Sequence, residues 1–203
     1  MYLFFDCETG GLEPCYSLLT VAAVATNKYF EPLFGGNDED TIYLELRHPT
    51  YIVSPEAMTI NKIDLVTHSA RGLKIDEAQE KFETWLANVH TKSGLWRLTP
   101  AGHNVPFDLK FVWEQLMLPE KWNRHCGYHT LDTVTLAAFF NSVGLISSKC
   151  NLTALCAHLD IPLANAHNAM ADTKASIAVA RQFAAMVQPG LFDQRPAGVQ
   201  TTR

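Results

Sequence analysis

Three apolar segments, each followed by turn residues, constrain the fold of this chain more than any other feature. Residues 2–7 form the first segment, which Thr9-Gly10-Gly11 closes. Residues 18–26 form the second, which is almost unbroken, and residues 42–47 alternate apolar with polar side chains. Short apolar runs predict buried strands, and the alternating run predicts a strand with one exposed face. Three successive strands of this kind predict an antiparallel meander that opens a β-sheet.

Helical periodicity follows these strands. In residues 75–89, the apolar side chains that recur at helical spacing and share one face are Ala78, Phe82, Trp85, Leu86 and Val89. Further helices are predicted from residue 55 and over residues 105–117, 130–140, 152–159 and 169–187, with a short strand over 98–101. Asn104 is expected to cap the helix whose first turn contains Pro106. Strands first, then strands and helices mixed, indicate the α/β class with a mixed central β-sheet flanked by helices.

Composition excludes several functional classes. The chain has 203 residues, of which 47% are hydrophobic and 18% are charged, and this suits one folded domain. Its net charge is −5 and it has no run rich in Lys and Arg, so a long duplex-binding surface is not expected. Five cysteines without a C-x-x-C pair argue against a disulfide framework, and neither a signal peptide nor a membrane-length apolar run occurs. We therefore expect a cytoplasmic protein without a membrane partner.

Two carboxylates stand at the end of the first predicted strand. Residues two apart in a strand point to the same face, so Asp6 and Glu8 are expected to lie together while Cys7 points to the opposite face. Carboxylates beside an apolar strand lose hydration and repel each other, and hard divalent cations such as Mg²⁺ or Mn²⁺ relieve both effects. Taken alone, however, the pair is better explained as two turn-forming acids at a strand end.

Two later segments carry further acids and a histidine. Asp108 falls in the first turn of its predicted helix, where the helix dipole alone would favour an acid. His167 and Asp172 are five residues apart and do not share a helix face. They converge if His167 lies on the loop before the last helix and Asp172 in its first turn. Taken alone, a capping acid and an incidental surface histidine are the simpler explanation.

Together and in this order, the three segments resemble the DEDDh exonuclease family. The residues that carry the resemblance are Asp6-Cys7-Glu8-Thr9, then Gly102-His103-Asn104 with Phe107-Asp108, then His167-Asn168-Ala169 with Asp172. The family includes the proofreading (epsilon) subunits of bacterial DNA polymerases, RNase T and oligoribonuclease. The resemblance extends from Phe4 to about Phe183 and implies a ribonuclease-H-like fold and a phosphodiesterase that uses two Mg²⁺ or Mn²⁺ ions.

The resemblance also implies a role for each acidic residue and for the histidine. Asp6 would bridge both metal ions. Glu8 and Asp172 would complete the site that holds the attacking water, and Asp108 would hold the second ion directly or through water. His167 would act as the general base that deprotonates the nucleophile, a task that suits an imidazole near neutral pH.

By the same similarity, four residues would contact the substrate. Thr9 and the backbone near Gly10 would meet the 3′ hydroxyl of the terminal nucleotide, and Leu12 would pack against its base. Asn104 would touch the substrate or brace the neighbouring acid, although simple helix capping explains it equally well. Many relatives carry His-Gly-Ile where this chain has Asn61-Lys62-Ile63, and this departure leaves the substrate contacts of that segment open.

The predicted function is a 3′-to-5′ exonuclease that acts on single-stranded or frayed DNA ends in proofreading or repair, with a DNA polymerase as a possible partner. Two alternatives stay open: an RNA exonuclease of the RNase T or oligoribonuclease type, and a catalytically silent accessory module of a polymerase. We expect an exonuclease domain over residues 1–187 and a flexible C-terminal tail over 188–203. The pentapeptide Gln188–Phe192 resembles a bacterial sliding-clamp-binding motif, but a helix end packed back on the domain is the simpler explanation.

Overall fold

A computed structural model describes residues 1–164 and 166–188 of the chain. Its strands are β1 (Tyr2–Thr9), β2 (Leu18–Thr26), β3 (Thr41–Arg47), β4 (Leu73–Lys74), β5 (Thr99–Gly102) and β6 (Leu131–Asp132). Within the described residues they form one sheet in the order β4-β3-β2-β1-β5-β6. The pairs β1–β2 and β2–β3 are antiparallel, which confirms the predicted meander, whereas β1–β5, β5–β6 and β3–β4 are parallel. The sheet is therefore mixed, as predicted.

Helices flank this sheet. They are α1 (Pro55–Asn61), α2 (Leu65–Arg71), α3 (Ile75–Ser93), α4 (Val105–Phe111), α5 (Pro119–His125), α6 (Thr133–Ser142), α7 (Leu152–His158) and α8 (Ala169–Val187). At its C-terminal end, α4 continues directly into a π-helical turn, Val112–Leu116. The five residues predicted to share one face of α3 are all buried. The arrangement confirms the predicted α/β class.

Alternate side chains of β1 pack on opposite faces of the sheet. Leu3, Phe5 and Cys7 belong to the large core that includes residues of α3 and α4. Phe4 belongs instead to a core that includes residues of α8. Burial on both faces accounts for the continuous apolar composition of this central strand. By the same alternation, Asp6 points toward the α8 side of the sheet.

Several predicted elements need correction. The helix predicted over residues 130–140 begins only at Thr133, because Leu131–Asp132 pairs with β5 as a strand. The helix predicted over 105–117 is α-helical only to Phe111 and then becomes the π-helical turn. The sequence patterns do not predict α2, α5 or β4. Of the predicted tail and its pentapeptide, only Gln188 lies within the described residues.

None of the described helices combines the length and the hydropathy needed to cross a membrane.

Candidate active site

Three carboxylates from distant parts of the chain meet beside the central strand. Asp6 and Glu8 stand on β1, and Asp172 stands in the first turn of α8. One oxygen from each of the three lies within 4.8 Å of the others. Glu8 and Asp172 are only 9% and 8% exposed. The structure therefore gathers three of the four predicted acids into one group, which we call the acidic group.

Burial and mutual repulsion make ionisation of the acidic group unfavourable. Burial raises the pKa of Glu8 to about 8, and the charge of Asp172 adds to this effect. The pKa of Asp6 lies well above its usual range because of burial and then because of the charges of Asp108, Glu8 and Asp172. Burial also raises the pKa of Asp172. Carboxylates so placed need a positive partner to remain charged at neutral pH.

The two carboxylate oxygens of Asp172 differ in their hydrogen bonding. Its Oδ2 accepts a hydrogen bond from the backbone N–H of His167 at 3.0 Å. Its Oδ1 is buried and has no hydrogen-bond partner among the described residues. A buried acceptor without a partner is costly, and a hard cation is the partner that carboxylate oxygens bind best. The carboxylate oxygens of the acidic group are therefore suitable ligands for a divalent metal ion.

Asp108 stands next to the acidic group without belonging to it. It lies in the first turn of α4, and its Oδ1 accepts a hydrogen bond from the backbone N–H of Cys7 at 2.9 Å. Interactions with the backbone and the thiol of Cys7 lower the pKa of Asp108. Burial still holds the pKa of Asp108 well above its usual range, and the Asp108 charge in turn raises the pKa of Asp6. The fourth predicted acid thus interacts electrostatically with the first.

His167 lies on the loop that precedes α8, where its side chain is exposed and its φ is 66°. Asn168 caps the helix by accepting a hydrogen bond from the N–H of Ala171 at 3.1 Å. Because the backbone N–H of His167 donates to Asp172, the loop and the first turn converge, as predicted for a histidine on the loop before the helix. The backbone of this loop is anchored while the imidazole itself is left accessible.

Two adjoining cavities open on the acidic group. The first has a volume of about 660 Å³ and is bounded by the end of β1, the loop after it and α1. The second has a volume of about 790 Å³ and reaches the start of α7. Both volumes lie within the range of small-molecule sites. The residues that line both cavities are Asp6, His103, His167 and Asp172.

Not every residue predicted to contact the substrate lines a cavity. Thr9 and Leu12 line the first cavity, and the side chain of Leu12 is 76% exposed. Gly10 lines neither cavity. Its N–H donates to the carbonyl of Ser17, and its carbonyl accepts from the N–H of Ser54. A Cβ at Gly10 would approach the carbonyl oxygen of Ile52 to 2.4 Å. Gly10 therefore packs behind the cavity wall.

Asn104 lines the second cavity, but its predicted capping role is wrong. The side chain makes no capping hydrogen bond, and the residue has the left-handed φ of 66° rather than the extended backbone of a usual cap. Its backbone N–H instead donates to Oδ1 of Asp132 at 2.9 Å. Asp132 also caps α6 through the N–H of Val134. The side chain of Asn104 is thereby left available at the cavity.

Three polar residues that shape the site were not predicted to do so. The side-chain amide of Asn61 donates to the carbonyl of Thr9 at 3.1 Å. The ring of His103 hydrogen-bonds the Thr133 hydroxyl at 2.8 Å through Nδ1. Gln115 hydrogen-bonds two backbone carbonyls of the loop after β1 and the backbone N–H of Leu18 at the start of β2. The partners of these side chains are far away in sequence, so no local pattern could have indicated the contacts.

The order of the strands in this mixed sheet, with helices flanking it, is that of a ribonuclease-H-like fold, and the acidic group lies beside its central strand. Residues 3–180 match the exonuclease family that is named for RNase T. The PolC-type DNA polymerase III of Bacillus cereus is 30% identical over 180 residues, which cover 86% of this chain and 11% of the polymerase. The chain therefore belongs to this exonuclease family.

Solved structures of exonuclease I are similar in fold. The Escherichia coli enzyme in complex with a dT13 oligonucleotide has a TM-score of 0.68 at 23% identity, covering 95% of this chain and 42% of that chain. Exonuclease I from Methylocaldum szegediense gives the same TM-score, identity and coverage. The chain thus spans less than half of the exonuclease I chains and about a tenth of the polymerase.

Proposed function

We propose that this protein is a metal-dependent 3′-to-5′ exonuclease that releases nucleoside 5′-monophosphates from single-stranded or frayed DNA ends. One observation carries the proposal: oxygens of Asp6, Glu8 and Asp172 approach within 4.8 Å of one another beside a cavity of about 660 Å³. Membership of the exonuclease family supports hydrolysis of phosphodiester bonds at this place. Residues 1–187 would form the exonuclease domain.

The acidic group would hold two divalent ions, Mg²⁺ or Mn²⁺, with Asp108 as the fourth ligand residue. Its oxygens are the ligands that these hard cations prefer, and Oδ1 of Asp172 is buried without another partner in the described part of the chain. When bound, the ions would supply positive charge that stabilises the entering and leaving oxygens of an in-line phosphoryl displacement. They would also offset the repulsion that raises the pKa values of Asp6 and Glu8.

His167 would be the general base. His167 lines both cavities together with Asp6 and Asp172, so the imidazole would act on a water molecule bound beside the acidic group. The imidazole would take a proton from that water as the water attacks phosphorus. Since the ring is exposed, it can then pass the proton to solvent. The hydrogen bond from its backbone N–H to Asp172 keeps the base close to the acids.

The terminal nucleotide would occupy the first cavity. The exposed side chain of Leu12 offers an apolar surface to the base, and Thr9 borders the same space. Asn61 supports this wall through its hydrogen bond to the carbonyl of Thr9. Asn104 would contact the substrate from the second cavity, and Gly10 would allow the chain to turn tightly behind the wall.

The known relatives favour DNA as the substrate and a polymerase as a partner. Exonuclease I was solved in complex with dT13 and dA16 oligonucleotides, and the Bacillus cereus relative is a DNA polymerase. We therefore propose a role in proofreading or repair. A sliding-clamp contact through Gln188–Phe192 stays a prediction from the sequence alone, because residues after 188 lie outside the described part of the chain.

Digestion of matched 5′-labelled DNA and RNA oligonucleotides tests the proposal. With Mg²⁺, the protein should shorten single-stranded DNA from its 3′ end and release nucleoside 5′-monophosphates, and EDTA should stop the reaction. Strict preference for RNA would overturn the proposed substrate and favour an RNA exonuclease. Failure to degrade either oligonucleotide with Mg²⁺ or Mn²⁺ would instead indicate a silent accessory module.

A further inference from the structure

Gln115 connects two parts of the molecule that the sequence keeps about a hundred residues apart. It lies in the π-helical turn that continues α4, and its side chain reaches the loop between β1 and β2. Its Nε2 donates to the carbonyls of Pro14 at 2.8 Å and Tyr16 at 2.6 Å. Its Oε1 accepts from the N–H of Leu18 at 2.9 Å.

The chemistry of these partners fixes the orientation of the amide. A backbone N–H can only donate, so the atom facing Leu18 must be the oxygen, and the two carbonyls can only accept from the nitrogen. Both N–H groups of the side chain are therefore used. A glutamate, a methionine or a leucine at this position could not make the same set of bonds.

The ring of Tyr16 packs against the large core, but few hydrogen bonds hold the middle of this loop. Residues 12–16 make hydrogen bonds outside their own loop only with Gln115, within the part of the chain that the structure describes. The loop ends are held separately, at Gly10 by Ser17 and at Ser17 by Ile52. Gln115 is thus the polar contact that sets where the loop lies relative to α4.

The loop forms one wall of the first cavity, because Leu12, Glu13 and Tyr16 all line it. The same α4 that leads into Gln115 begins with the turn that carries Asp108. One continuous helical segment therefore contacts the wall at one end and carries a predicted metal ligand near the other. π-helical turns of this kind occur often at functional sites.

We infer that Gln115 is a positioning residue that fixes the distance between the wall carrying Leu12 and the acidic group. It would act through the loop, without touching the substrate, so that the terminal base is held while its phosphate lies at the carboxylates. The inference rests on the proposed exonuclease function and adds to it a residue that governs how the terminal nucleotide is bound.

A comparison of two substrates tests this inference. Two DNA oligonucleotides would be identical except that one ends in an ordinary nucleotide and the other in an abasic tetrahydrofuran residue. The wild-type protein should prefer the base-bearing end. Gln115→Met, which keeps the length of the side chain and removes its hydrogen bonds, should lower kcat/KM for the base-bearing end about tenfold, mainly through KM. Its kcat/KM for the abasic end should stay within about twofold.

Two controls accompany this comparison. Glu114→Gln changes an exposed neighbour in the same turn and should leave both rates unchanged. Hydrogen exchange at the Leu18 amide, which donates to Gln115, should be faster in Gln115→Met even without substrate. If that variant does not fold, Gln115→Glu, which keeps the acceptor and loses both donors, should give the same substrate pattern.

Other outcomes separate this inference from the proposed function. Equal losses on both oligonucleotides, or unchanged exchange at Leu18, would show that Gln115 does not act through the loop. A wild-type protein without preference for the base-bearing end would overturn the inference and leave exonuclease activity standing. A wild-type protein inactive on both ends would overturn the proposed function itself.

Discussion

Asp6 is surrounded by other acids: its pKa is raised by burial and by the charges of Asp108, Glu8 and Asp172. Replacing it with asparagine removes one buried charge and one predicted metal ligand while keeping the shape of the side chain. We expect Asp6→Asn to lower exonuclease activity by roughly 10³-fold or more, because several kcal/mol of charge stabilisation would be lost. The folded state should be at least as stable as in wild type when measured by thermal unfolding with EDTA.

Asp38→Asn is the matched control for that experiment, since it removes an exposed carboxylate far from β1 in sequence. It should change neither activity nor stability measurably. Wild-type turnover by Asp6→Asn would contradict the assignment of the acidic group as the reacting site.

His167 offers a second test at the scale of one side chain. Its ring is exposed beside the acidic group, and its link to Asp172 uses the backbone N–H, which substitution does not remove. His167→Ala should therefore lower kcat by about 10²- to 10⁴-fold, the usual contribution of a general base, and retain Mn²⁺ binding in calorimetry. His158→Ala, at an exposed position at the end of α7, should leave both measurements unchanged. Loss of Mn²⁺ binding in His167→Ala would point to a metal ligand instead of a base.

Single residues differ in how far the sequence could predict them. The alternation of a strand was enough to place Asp6 and Glu8 together, whereas the convergence of His167 and Asp172 was predicted only for a histidine on the loop before the last helix. Asn104 was wrongly expected to cap its helix, since its left-handed backbone and its bond to Asp132 arise only when β6 lies beside β5. Gln115 gave no signal at all, because each of its partners lies about a hundred residues away.

Among the elements, β1 and β5 approach each other closely near the site. Gly102 ends β5, and a Cβ there would come within 2.7 Å of the carbonyl oxygen of Phe5, the residue before Asp6. Gly102→Ala should therefore destabilise the fold by about 1–3 kcal/mol in urea unfolding, because backbone must move to make room. Activity should fall with it, since the shift displaces the strand that carries Asp6.

Gly127 provides the matched control for this substitution. A Cβ at Gly127 would meet only the carbonyl oxygen of Leu98 at 3.8 Å, which is ordinary contact. Gly127→Ala should stay within about 0.5 kcal/mol of wild type. Equal destabilisation by the two alanines would mean that crowding at β1 is not the cause.

Long elements with a clear period were predictable, and short ones were not. The last helix has the predicted bounds, Ala169–Val187, because nineteen residues with regular apolar spacing leave little ambiguity. In contrast, α2 and α5 have seven residues each, and β4 has two. Elements of this length are decided by the partner they pack against. The same holds for β6, which is recognisable as a strand only through its pairing with β5.

For the molecule as a whole, the acidic group links stability to pH and to metal ions. Burial raises the pKa of Glu8 from its ordinary 4.5 to about 8. Between pH 4.5 and about 8, Glu8 therefore holds a proton in the folded state that it has released in the unfolded state. The resulting stabilisation is complete below pH 4.5 and is lost as pH rises through about 8. Without divalent metal, the melting temperature should therefore fall as pH rises across the window. Saturating Mg²⁺ should oppose the fall, because metal binds the deprotonated carboxylates.

Glu8→Gln isolates this effect from other titrating groups. Thermal unfolding in EDTA should show a weaker dependence on pH for Glu8→Gln than for wild type over the same window. The stabilisation by Mg²⁺ should grow with pH in wild type and should be smaller at every pH in the variant. Identical pH profiles for the two proteins would contradict a proton held by Glu8 in the folded state.

The order in which the chain supplies its acids has a consequence for its synthesis. The acidic group takes two members from the first strand and its third from the first turn of the last helix. During translation, all six strands of the described sheet are synthesised before Asp172, so the first two acids are present on the sheet strands before the third acid is available. A nascent or prematurely ended chain lacks the third carboxylate and, on the proposed function, cannot cut the nucleic acid around it.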